Sequence, residues 1–205
     1  MQTVKTKHFD YGVAEILYLK KSDPALGEAI ERIGRVERVV IPELFQALLY
    51  AIIGQQVSAK AAQTVWRRLQ ESIGDITPKK IAETSEQEIQ KYGMTVRKAG
   101  FIVDAAKKIY KGSFNLEELK SLSDNEVIGR LSSLNGIGTW TAEMLLLNSM
   151  ERPDIVSWGD MAIKRGMKKL YGRTEITKEQ FDGYKRGYSP YGSVASIYLW
   201  RLSFE

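Results

Sequence analysis

Apolar residues recur along this chain at helical spacing, and no stretch alternates as a half-buried strand does. The opening is mixed. VKTKHFDYGVAEILYLKK has no clean period, whereas DPALGEAIERIG predicts a helix with Pro24 in its first turn and Gly34 at its end. The most apolar stretch starts at Pro42. Leu44 to Ile53 predicts a core helix, Gly54-Gln55-Gln56 interrupts it with two amides, and helical spacing resumes behind Ser58 as a cap. Thr77-Pro78 predicts the cap and first turn of a further helix, and a basic helix is predicted from near Thr95 to Gly112. Ser123 with Glu126 forms a capping box ahead of Val127, Ile128, Leu131 and Leu134. MAIKRGMKKLYG and PYGSVASIYLWRLSF supply the last helical patterns. There is no internal repeat, low-complexity tract or long linker, so the pattern predicts an all-α protein.

Between two of these helices stands Asn135-Gly136-Ile137-Gly138, with Thr139 as the expected cap of the second helix. Two glycines in four residues predict a tight turn with positive φ or close backbone approach. The N–H groups of Gly136, Gly138 and the following first turn would then point outward together at the positive end of a helix dipole. That arrangement suits a phosphate oxygen. Taken alone, G-x-G between helices favours a plain αα-turn.

Composition narrows the chemistry. With 205 residues and 43% apolar content, the chain can bury a core as one domain or as two small ones. There is no cysteine, which excludes disulfides, thiol nucleophiles and cysteine-bound iron–sulfur clusters. The single His8 cannot build a histidine metal site or a triad. A net charge of +5 suits a polyanionic partner without demanding one. No apolar run approaches membrane-spanning length and MQTVKTKHFD lacks a signal-peptide pattern, so a soluble, unexported protein is expected.

The longer string LNGIGTWTAEMLL resembles the helix-hairpin-helix of the DNA glycosylase superfamily, whose pattern is L-x-G-[IV]-G-x-x-T-A. IIGQQVSAKAA, GMTVRKAGFIVDAA and YSPYGSVASIYLWR extend the resemblance to the alkylation-repair branch, the 3-methyladenine glycosylases. It implies a two-lobed helical bundle with a cleft between lobes. Residues 41–150 would form the hairpin lobe, and 1–40 with 151–205 the other.

The resemblance also assigns candidate residues. Asp160, directly before MAIKRGMKK, stands where the superfamily places its catalytic aspartate. On its residues alone it reads as an ordinary N-cap worth about 0.5–2 kcal/mol. Breaking an N-glycosidic bond builds positive charge on deoxyribose, which a fixed carboxylate stabilises. An alkylated purine is already cationic and leaves without a strong general acid, so one carboxylate could serve. The base-pocket candidates are Trp140, Tyr191, Trp158, Met144 and Met161, with Tyr188 nearby. Aromatic faces among them would attract a cationic base.

Lyase members carry a lysine two residues after the second glycine. Here that residue is Trp140, which implies a hydrolase without Schiff-base chemistry. DNA contacts would come from Gly136, Ile137, Gly138, Thr139 and Lys164, with Gln55 and Gln56 reaching into the duplex. No organic cofactor is implied. The backbone carbonyls of Leu134 and Ile137 are candidates for a structural Na+ or K+. The implied partner is double-stranded DNA carrying a damaged base, flipped out for the reaction. A monomer in the cytoplasm, or in the nucleus of a eukaryote, is expected. Two other readings stay open: the same scaffold acting on deaminated purines, and a non-enzymatic DNA-binding module.

Overall fold

The structure, a computed structural model, describes residues 5–205; residues 1–4 of the opening segment lie outside the described residues. In chain order the helices are α1 (Val13–Ser22), α2 (Pro24–Ile33), α3 (Leu44–Gly54), α4 (Ala59–Ile73), α5 (Pro78–Glu83), α6 (Glu86–Gln90), α7 (Val96–Tyr110), α8 (Asp124–Ser132), α9 (Thr139–Asn148), α10 (Met161–Leu170), α11 (Lys178–Tyr188) and α12 (Gly192–Ser203). A 3-10 turn (Glu118–Ser121) precedes α8. Among the described residues the only sheet is a pair of two-residue strands, β1 (Lys7–His8) and β2 (Val39–Val40). The fold is all-α, and among the described residues no helix is long and apolar enough to cross a membrane.

The chain divides into two compact units, Ile41–Met150 with the segment up to Lys7, and His8–Val40 with Glu151–Glu205. The sequence reading assigned the whole opening, 1–40, to the second lobe. In this division the second unit begins at His8, and Phe9 is its first buried side chain.

In the first unit α3 is apolar almost all round, which requires a central place. Phe45, Leu48, Leu49, Ile52 and Ile53 are buried, and α3 packs against α4, α7 and α9. Each such side chain contributes about 1.5–3 kcal/mol on burial. The partners offer matching stripes: Ala62, Val65, Trp66 and Leu69 on α4, and Ala99, Ile102, Val103 and Ala106 on α7. The expected cap forms at Ser58, whose Oγ accepts from Ala61 N at 3.2 Å, and Thr95, near the predicted start of α7, caps that helix with Oγ1 accepting from Lys98 N at 3.3 Å. Glu126 accepts from Ser123 N at 2.8 Å, completing the capping box of α8. Ile41 N donates to Asn148 O at 2.9 Å, bonding the two ends of the 41–150 segment to each other.

In the second unit α12 is buried along most of its length and α10 crosses it. A Cβ at Gly166 would lie 2.0 Å from Leu199 O, so only glycine permits this approach. Asp23 caps α2 through Leu26 N at 2.9 Å and also accepts from the Tyr171 hydroxyl. Tyr171 is hydrogen-bonded in turn to Tyr188, which is fully buried. Tyr188 is thus a core residue, which corrects its place among the pocket candidates.

Candidate active site

The hairpin between α8 and α9 closes with Ile137 N donating to Leu134 O at 3.1 Å. Gly136 has φ +83°, and a Cβ there would lie 2.2 Å from Phe101 Cδ2. Glycine is needed on both counts. Gly138 differs from expectation, with φ −94° and open space where a Cβ would go. Gly138 carries the extended backbone that precedes α9, and its carbonyl accepts from Ala142 N at 3.0 Å. Gly138 is therefore the N-cap, and Thr139 is the first helical residue rather than the cap. No side chain caps α9, and Gly138, Thr139 and Trp140 are exposed. An anion placed there meets the positive end of the helix. Ile137 is buried and anchors the turn.

Gln55 and Gln56 part company. Gln56 is exposed with φ +55°, a left-handed conformation uncommon for a side chain of this kind. Gln55 turns inward and donates from Nε2 to Gly136 O at 2.8 Å. The sequence reading aimed both amides at DNA; the Gln55 amide nitrogen is bonded within the protein. Lys98 donates to Ile53 O at 2.9 Å and to Gln55 O at 2.6 Å, and burial lowers its pKa from the ordinary lysine value. On sequence alone α7 reads only as basic, and the bracing by Lys98 is missed. Its spacing on α7, three residues before Phe101, was the available signal. Trp140 is 45% exposed, while Met144 is half-buried with its sulfur 4.0 Å from Asn148 Nδ2.

In the second unit Asp160 caps α10. Its Oδ1 accepts from Ala162 N at 2.8 Å and Ile163 N at 2.9 Å, and the residue is 7% exposed. Arg38 belongs to the same electrostatic environment. Burial lowers the pKa of its guanidinium, and the Asp160 carboxylate opposes that shift. The guanidinium lies 4.2 Å over the Trp200 ring. Arg38 went unremarked in the sequence because RVERVV carries no motif. Charged residues set among valines beside the Pro42 boundary were the only hint.

The pocket candidates of this unit are dispersed in environment. Met161 is 67% exposed at the first turn of α10. Tyr191 is half-buried and meets Tyr18 edge-on at 5.2 Å. Trp158 is half-buried and packs on Phe181 at 5.1 Å, with Lys164 Nζ 4.5 Å from its ring centre. Lys164, expected to meet DNA, has its ammonium against this ring. Among the described residues no group of three or more His, Asp or Glu is placed so that it could hold a metal ion.

Comparison with known proteins bears on all of this. Residues 49–184 match the model of the HhH-GPD superfamily base excision DNA repair proteins. DNA-3-methyladenine glycosylase 1 of Schizosaccharomyces pombe is 31% identical over 78% of this chain and 73% of its own. Among solved structures, the DNA-3-methyladenine glycosidase of Bacillus halodurans superposes with a TM-score of 0.84 at 31% identity, covering 97% of this chain and 92% of that one. The Schizosaccharomyces pombe 3-methyladenine DNA glycosylase in complex with abasic DNA gives 0.81 at 27% identity, covering 92% and 96%. Some relatives are longer: the chain spans 58% of one from Bacillus subtilis. With the hairpin sequence, its glycine geometry and the helical fold all in agreement, the chain belongs to the HhH-GPD superfamily of base excision DNA repair proteins.

Proposed function

We propose that the protein is a monofunctional DNA glycosylase that removes alkylated purines of the 3-methyladenine type from duplex DNA, the first step of base excision repair. The damaged nucleotide leaves the base stack, at a cost of a few kcal/mol, before its sugar is attacked. As the bond from purine to C1′ breaks, its electron pair leaves with the base, which departs neutral because alkylation had made it cationic. Asp160 stabilises the positive charge that develops on the sugar and orients the water whose oxygen bonds to C1′, its released proton passing by way of the carboxylate to solvent. The single observation that carries this reading is Asp160 itself. It is a buried carboxylate fixed by two backbone N–H groups at a helix start, in a chain of this family.

The candidate contacts to a cationic purine are, in the first unit, Trp140 with Met144, and, in the second, Tyr191 with Met161; Trp158, whose ring already carries the Lys164 ammonium, is the weaker aromatic candidate there. The hairpin from Gly136 to Gly138 and the exposed first residue of α9, Thr139, anchor the DNA backbone, with Gln56 at the neighbouring turn. With Trp140 in place of an amine, no Schiff base forms there and the strand is left uncut. The carbonyls of Leu134 and Ile137 would hold a Na+ or K+ ion; the Leu134 oxygen, which accepts from Ile137 N, retains a second lone pair for it. The protein acts as a monomer on duplex DNA, in the cytoplasm or nucleus.

The test is a panel of duplexes, each bearing one defined lesion, with released bases identified chromatographically. Release of 3-methyladenine-type purines is expected, with no adduct trapped by borohydride. Release of hypoxanthine alone would favour the deaminated-purine reading, and release of nothing a binding module. Asp160→Asn keeps the capping oxygen and is expected to bind abasic duplex while releasing no base. Full activity in that variant would overturn the catalytic assignment.

A further inference from the structure

The hydrogen bonds around Lys98 join two turns that the proposed function uses separately. Lys98 Nζ reaches Ile53 O and Gln55 O at 2.9 and 2.6 Å, at the C-terminal end of α3, where a helix dipole favours a cation. Gln55 follows the last residue of that helix, and its Nε2 reaches Gly136 O at 2.8 Å. Phe101, one turn beyond Lys98 on α7, lies where a side chain on Gly136 would go. The α7 helix therefore holds the hairpin twice, by ring contact from Phe101 and through Gln55, whose backbone carbonyl is fixed by the Lys98 ammonium and whose side-chain amide donates to Gly136 O. A lysine needed only for its charge would stay in water; this one is half-buried against carbonyls.

We infer that Lys98 and Gln55 are positioning residues that lock the α3–α4 turn and the Gly136–Gly138 hairpin into one rigid DNA-contacting surface, with neither the ammonium nor the Gln55 amide touching DNA. The inference rests on the hairpin being the backbone anchor, as proposed above. It reassigns Gln55 from a residue that enters the duplex to one that holds the anchor in place.

The experiment uses the full chain with Gln55→Ala, Lys98→Met, Lys98→Arg and the Gln55→Ala/Lys98→Met double variant. Binding of a duplex with a tetrahydrofuran abasic site is measured at several salt concentrations. Amide hydrogen exchange of residues 136–140 is measured without DNA. Gln55→Ala and Lys98→Met are each expected to weaken binding about five- to tenfold, the scale of one lost hydrogen bond. The double variant should bind no worse than about twofold below the weaker single, because both act through Gln55. Hairpin amides should exchange several-fold faster in both singles. Lys98→Arg, which can still donate to the carbonyls, should recover most of the affinity.

A purely structural role would lower the melting temperature and leave the folded protein's affinity unmoved, which overturns the inference. So would a salt dependence that falls by about one unit of slope in Lys98→Met, the mark of a lost phosphate contact. Additive losses in the double variant, or unchanged exchange, would overturn it as well. If the parent protein does not bind the duplex, the glycosylase reading fails, and the exchange rates alone then decide whether the brace exists.

Discussion

Gly136→Ala probes the hairpin most directly, because two separable costs meet at one atom. Backbone at φ +83° is open to glycine, and a residue with a Cβ there loses about 1–2 kcal/mol. The added Cβ would also lie 2.2, 2.7 and 2.8 Å from Cδ2, Cε2 and Cγ of Phe101, so the ring must move. The ring is half-buried on α7 and flanked by the Arg97 guanidinium at 5.3 Å from its centre. Forced overpacking of this kind costs about 1–3 kcal/mol. Together the substitution should destabilise the hairpin unit by roughly 2–5 kcal/mol. Urea unfolding, followed through amide exchange in α8 and α9, reports on this unit alone. Repeating the substitution in a Phe101→Ala background removes the clash and should leave only the backbone share, about 1–2 kcal/mol. A loss below about 1 kcal/mol in the parent, or an equal loss in both backgrounds, would refute the reasoning.

Gly166→Ala is expected to destabilise the second unit by at least about 3 kcal/mol, since its Cβ meets the backbone at Leu199 O rather than a side chain that can rotate away. Calorimetry checks this, and a near-neutral result would show that α10 shifts freely along α12. The third expectation concerns pH. Hydrogen bonds from the Ser123 hydroxyl and backbone hold the Glu126 carboxyl below its ordinary value of 4.5. A depressed carboxyl stabilises the fold above its unfolded pKa, and the contribution is lost as pH falls through the lower folded value. The stability gap between parent and Glu126→Gln should therefore narrow as pH drops below 4.5, as read from urea midpoints. A constant gap would count against the capping charge.

Much of the fold was legible because it depends on local rules. Ser58, Thr77, Thr95 and the Ser123–Glu126 box each cap the helix that follows them. Pro24 opens α2 and Gly34 ends it. Errors arose where a neighbour distant in sequence decides. The need for glycine at 136 comes partly from Phe101, thirty-five positions away, while Gly138, alike in sequence, has no such neighbour. Gln55 and Gln56 are the same residue type side by side, but one carbonyl of the hairpin turns one of them inward. Thr177 opens a capping box of its own on α11, a signal the sequence contained and the reading did not use. Asp160 was placed correctly as the start of α10. Its burial and the nearby Arg38 depend on packing that spacing does not encode.

The bond from Ile41 N to Asn148 O has a consequence for how the chain assembles. Residues 41–150 are one unbroken stretch, whereas the other unit is composed of two pieces on either side of it. During synthesis α1 and α2 emerge early, and their packing against α10, α11 and α12 waits until those helices are made. If the intervening stretch were still a coil, bringing the two pieces together would carry the entropy of a long loop. Once it has folded, its ends are held side by side and the connector is effectively a few residues long. Folding of the inserted stretch thus prepares the docking of everything that flanks it.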